Sequence, residues 1–166
     1  MKPADLLELL REFYREKSAA RQRHAAGARL VIDYTFNNTY QYTISREDVQ
    51  LSWVRDAIVD LGGATPEDPA EPQLEASGKR EVAQERVIRE DRDLAQAFVD
   101  RWRPRIDRVT NARNRNMLNV ILGETLEAKR FFDQMLAGRE DVLGRRADGA
   151  GTPGVVIPTR WVGSKA

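Results

Sequence analysis

Apolar residues recur along this chain at alternating steps of three and four, the spacing that lines one face of an α-helix. Leu6, Leu7, Leu9, Leu10, Phe13 and Tyr14 form the broad stripe of a buried helix face, and Gly27 offers that helix an end. A second seam passes through Leu30, Asp33, Asn37, Tyr40, Ile44, Glu47, Leu51, Val54, Ile58 and Leu61. A rhythm held that long predicts one long helix, or two nearly collinear ones, stopping at Gly62-Gly63. A third seam runs through Ala83, Val87, Asp91, Leu94, Phe98 and Trp102 to a stop near Pro104. The fourth takes in Met117, Ile121, Glu124, Ala128, Phe131 and Met135 and closes at Gly138.

Between the second and third seams lies Gly62-Gly63-Ala64-Thr65-Pro66-Glu67-Asp68-Pro69-Ala70-Glu71-Pro72, whose prolines forbid a regular element. The 17 residues from Gly62 to Gly78 reach about 55 Å when extended. A 25-residue helix is only about 38 Å long, so this connector is able to cross a whole bundle. The expected architecture is all-α: a four-helix bundle over residues 1–138, made of hairpins 1–61 and 79–138 joined by a crossover at 62–78. Residues 139–166 are expected to form an extended C-terminal arm that packs on its own bundle or embraces a second subunit, as in a homodimer.

Composition narrows the chemistry. The chain has 166 residues with no cysteine and a single histidine, His24. Disulfides, thiol nucleophiles and thiolate metal sites are excluded, as is any site needing two imidazoles from one chain. With 27 Lys+Arg against 26 Asp+Glu, the charge balance does not suit a dedicated nucleic-acid binder. No apolar run approaches membrane-spanning length, and the N-terminus has no signal-peptide core, so a cytoplasmic location without a membrane partner is expected.

Three of the seams carry an acid where an apolar residue is expected. Glu47 lies between Ile44 and Leu51, Asp91 between Val87 and Leu94, and Glu124 between Ile121 and Ala128. The first helix adds Glu16, in step with Leu6, Leu9, Phe13 and Ala20, or else Glu12 one turn earlier. Burying a carboxylate is costly unless it is paired, protonated or bound to a cation. Several in one layer repel one another, and a divalent ion is a common remedy.

These residues resemble the ferritin-like superfamily, the rubrerythrin- and ferritin-type di-metal carboxylate bundles. The family pattern is one Glu on each of two helices and Glu-x-x-His on the other two. Here Glu47-x-x-Gln50 and Glu124-x-x-Glu127 stand in for the latter motifs, so both histidines are replaced. Asp91 precedes Glu124 by 33 residues and Glu16 precedes Glu47 by 31, so each half resembles the other. The resemblance implies a metal layer of Glu16, Glu47, Gln50, Asp91, Glu124 and Glu127 holding Fe or Mn. An all-oxygen set favours hard ions such as Mn, Mg or Ca over a redox iron pair. If the protein is an enzyme, a metal-dependent oxidoreductase-like activity is implied. The alternative is a metal-free structural or interaction bundle that self-associates, its acids bonded to arginines.

Other residues have milder expectations. Levelling Asp91 with Glu124 requires a turn near residue 107, which Pro104 and the polar stretch beyond it allow. Levelling Glu16 with Glu47 requires one near residue 31, within apolar Leu30-Val31-Ile32, whereas a turn at Gly27 puts Leu7 beside Glu47. His24 reads as a helix-terminal or surface residue, and Tyr40 as a core tyrosine with its hydroxyl satisfied. Asp33 and Asn37 read as polar seam residues bonded to arginine or backbone. Arg101, Arg103, Arg105, Arg108, Arg113 and Arg115 around Trp102 read as a solvated corner paired to nearby acids.

Overall fold

The computed structural model describes residues 1–76 and 78–144. The chain is an all-α four-helix bundle: α1 (Pro3–Ala28), α2 (Tyr34–Asp60), α3 (Arg80–Ile106) and α4 (Ala112–Leu136). The expected arm lies, from residue 145 onward, outside the described residues.

Local chemistry sets the helix ends. Pro3 starts α1, where its missing N–H costs nothing. The side chains of Asp33 and Asn111 accept hydrogen bonds from the Phe36 and Asn114 amides, capping α2 and α4. After α2 the Gly63 amide donates to the Ile58 carbonyl and the Gly62 amide to Val59, with Gly62 at φ +75°. Gly138 ends α4 in the same way at φ +71°. Both are left-handed caps that glycine adopts without strain. Helix α3 continues past Pro104 to Ile106, two residues beyond the stop expected from the proline.

Helices α1 and α2 pack as one hairpin, α3 and α4 as another, with α1 against α3 and α2 against α4. The crossover follows α1 along its length. Arg11 Nε donates to the Ala64 carbonyl, Tyr14 and Ser18 hydroxyls both donate to Asp68, and Arg29 pairs with Glu71. The chain therefore returns to the opposite end of the bundle before α3 begins, so α2 and α3 run parallel. This is the one-crossover topology for which the connector is long enough.

The first turn differs from the expectation at Gly27. Helix α1 continues to Ala28 and the chain reverses over residues 29–33. Apolar Leu30-Val31-Ile32 serves as a turn because distant groups satisfy its backbone. Gln84 Oε1 on α3 accepts from both the Ile32 and Asp33 amides at 2.9 Å, and Asn37 Nδ2 donates to the Ala28 carbonyl at 2.7 Å. Val31 is buried in the core end. Gly27 instead allows close helix approach: a Cβ there would lie 3.0 Å from Val87 Cγ1 and 3.2 Å from Asp91 Oδ2.

The interior has two apolar cores. One gathers Phe13, Val54, Trp102, Ile106 and Leu118; the other gathers Val31, Tyr40, Ile88, Phe132 and Val142. Between them the bundle buries polar side chains, Lys17, His24, Glu47, Gln50, Asp91 and Thr125. No helix among the described residues is long and apolar enough to cross a membrane.

Candidate functional site

The polar layer borders a cleft of about 280 Å³ lined from all four helices. All six acids and amides singled out in the sequence, Glu16, Glu47, Gln50, Asp91, Glu124 and Glu127, line it. They line one cleft, but apart from Gln50 with Glu124 they do not meet one another. Each buried carboxylate is met by a side chain of its own.

Glu47 is 2% exposed and sits between two α1 residues. Lys17 Nζ donates to its Oε1 at 2.9 Å and His24 Nδ1 lies 2.8 Å from its Oε2. The same ammonium lies 3.4 Å from Thr125 Oγ1 on α4 and 5.7 Å from the Phe98 ring centre on α3. One lysine therefore touches all three other helices. Asp91 is fully buried; Arg23 Nε donates to its Oδ1 at 2.7 Å and the Tyr40 hydroxyl to its Oδ2 at 2.6 Å. Glu124 accepts from Arg46 Nη2 and from Gln50 Nε2, both at 2.5 Å.

The remaining two acids stand at the margin. Glu16 accepts from Trp102 Nε1 at 2.8 Å and from Arg101 at 3.0 Å, so it anchors an indole on α3. Glu127 is exposed, its nearest cation Arg130 at 3.4 Å.

Three buried or half-buried carboxylates, Glu47, Asp91 and Glu124, thus face three fixed cations, Lys17, Arg23 and Arg46. A metal layer of the kind the family resemblance implies needs free carboxylate oxygens. Both oxygens of Glu47, Asp91 and Glu124 already accept hydrogen bonds from side chains, or in one case face a ring nitrogen. Among the described residues no three His, Asp or Glu side chains are placed to share an ion. In this arrangement the residues do not fit a metal ion, because the oxygens it would need are already held by protein groups.

The electrostatics follow from burial. Desolvation alone would raise the Glu47 pKa, but the charges and hydrogen bonds of His24 and Lys17 outweigh it and lower it to about 2. Burial pulls His24 down, yet the Glu47 charge and hydrogen bond leave it above its ordinary 6.5. Burial and then the Asp91 charge hold the Tyr40 hydroxyl well above 10, so it remains a donor.

These shifts set a pH window. A lowered carboxyl pKa contributes stability above its ordinary 4.5 that is lost as pH falls through about 2. A raised imidazole pKa contributes stability below 6.5 that is lost as pH rises through the folded value. The expected result is a urea midpoint highest between pH 4.5 and 6.5 for this pair, with the alkaline decline abolished in His24→Gln. A midpoint in His24→Gln that still declines above pH 6.5 would assign the decline to other groups.

His24 corrects a sequence expectation: it lies near the end of α1, as expected, but is buried rather than a surface residue. The signal was present, since Leu6, Leu10, Phe13, Lys17, Ala20 and His24 follow steps of three and four down the innermost line of α1. Glu16, one residue aside from that line, turns toward Trp102. Asp33 proves to be a cap and Asn37 a ligand of turn carbonyls. The arginine corner is paired in part, Arg105 bonding Glu12 while lying 4.1 Å over the Trp102 ring. No protein family, curated protein or solved structure matches this chain.

Proposed function

We propose that the chain is a ferritin-like bundle in which internal cations take the place of an intra-bundle metal, leaving a binding bundle that works without redox chemistry. The observation that carries this reading is the Lys17 ammonium, 2.9 Å from Glu47 and 3.4 Å from Thr125 in the middle of the acidic layer. A tethered ammonium neutralises a carboxylate as an ion does, but it offers no redox couple and no open coordination position. Arg23 and Arg46 repeat the substitution at Asp91 and Glu124. What such a layer provides is rigidity: buried pairs with every donor placed favour one register of the four helices, at some cost in raw stability. The cleft beside it, walled by Ala95, Phe98, Ala128 and Phe131, is the natural seat for a ligand.

Metal analysis tests the reading. Protein expressed with iron and manganese supplied is expected to purify with well under one equivalent of either. Its melting temperature is expected to be unchanged by EDTA. Stoichiometric metal whose removal lowers the melting temperature, and which Glu124→Ala abolishes, would restore the carboxylate layer as a metal centre.

A further inference from the structure

Resting on that metal-independent reading, we infer that the cleft takes an uncharged, mainly apolar organic molecule of one or two rings bearing a hydroxyl or N–H, whose hydrogen bond Gln50 accepts. Three observations carry this. The first is an acceptor without a partner. Gln50 is 2% exposed and lines the cleft. Its Nε2 is committed to Glu124, which fixes the amide orientation because the reverse would set two oxygens together. Its Oε1 is then buried with no hydrogen-bond partner among the described residues. Such a group costs about 1–3 kcal/mol, which a donor on a ligand would offset.

The second is charge. The cations nearest the centre are each held by a carboxylate: Lys17 by Glu47, Arg23 by Asp91 and Glu90, Arg46 by Glu124. An ionic ligand would have to break one of these pairs, whereas a neutral one leaves them intact. The third is size and wall chemistry. An apolar cavity of about 150 Å³ holds a benzene ring, and this cleft of about 280 Å³ accommodates a larger ring system against Leu94, Ala95, Phe98, Ala128 and Phe131. All four helices contribute to its lining, so an occupant would touch both hairpins.

Calorimetric titration of the full, EDTA-treated chain at pH 7 with 1-naphthol, naphthalene and 1-naphthoate tests the inference. 1-Naphthol is expected to bind tightest, by about five- to tenfold over naphthalene, the yield of one hydrogen bond. Gln50→Leu is expected to remove that difference, so that the two neutral probes bind alike. Should Gln50→Leu fail to fold, the naphthol-to-naphthalene ratio of the unmodified protein still decides. Equal binding of the two neutral probes, tightest binding of 1-naphthoate, or no binding by any of the three either before or after manganese or iron is added would each overturn the inference. Binding of 1-naphthol only after manganese or iron is restored would support the neutral-donor cleft while sinking the metal-independent reading on which it was built.

Discussion

Replacing Lys17 with Met is expected to lower stability by about 3–5 kcal/mol, the cost of leaving a buried charge without its partner. Lys17 and Glu47 side chains are 4% and 3% exposed, so water cannot replace the lost ammonium. His24 still faces the other carboxylate oxygen, and the variant retains that contact while its carboxyl pKa climbs from about 2. For a chain of this length the loss corresponds to a melting temperature lower by about 10 °C. The double variant Lys17→Met/Glu47→Gln is expected to recover most of it, because the orphaned charge disappears with its partner. Chemical denaturation of the wild type, the two single variants and the double variant supplies the coupling free energy. A strictly additive cycle would mean that the two side chains do not act as a pair.

Trp102→Ala is expected to cost a similar amount, about 3–5 kcal/mol, by a different route. The indole is fully buried, with Phe13 and Phe98 at centroid distances of 4.9 and 6.2 Å and the Arg105 guanidinium 4.1 Å from its ring. Truncation empties the middle of the larger core and frees Glu16 at the same time. Trp102→Phe separates the two effects: it keeps a ring and removes only the N–H donated to Glu16, at an expected cost of about 1 kcal/mol. Denaturant midpoints of the two variants check both values. If Trp102→Phe were as damaging as Trp102→Ala, the indole–carboxylate bond rather than packing would dominate.

Fold and site differ in how far the sequence displays them. Four seams of three-and-four spacing, glycine stops at Gly62 and Gly138 and a breaker-rich connector suffice for the helices and their order, because those signals are local. The first turn is not local. Leu30-Val31-Ile32 reverses the chain because Gln84, more than fifty residues away, receives the amides of Ile32 and Asp33, and no short-range rule exposes such a partner. Gly27 likewise reads as a stop but sits where the side chains of Val87, Asp91 and Tyr40 crowd the place a Cβ would occupy. In the site, acids at seam positions are conspicuous because they break an apolar pattern. Their partners Arg23 and Arg46 are not, since a long side chain reaches inward from the flank of a helix, half hidden and half in solvent. Lys17 and His24 lay on the α1 seam in plain view. A basic residue on such a line does not show which carboxylate it meets.

Titration of the Glu47 side-chain carboxyl by carbon-detected NMR, in protein stripped of metal with EDTA, tests most directly whether an internal cation does the work of a metal ion. If Lys17 and His24 hold Glu47 ionised, its midpoint lies at about pH 2 without any metal present and moves upward in Lys17→Met. A midpoint at or above the ordinary 4.5 in metal-free protein, falling only when a divalent ion is restored, would contradict that role of Lys17 and His24.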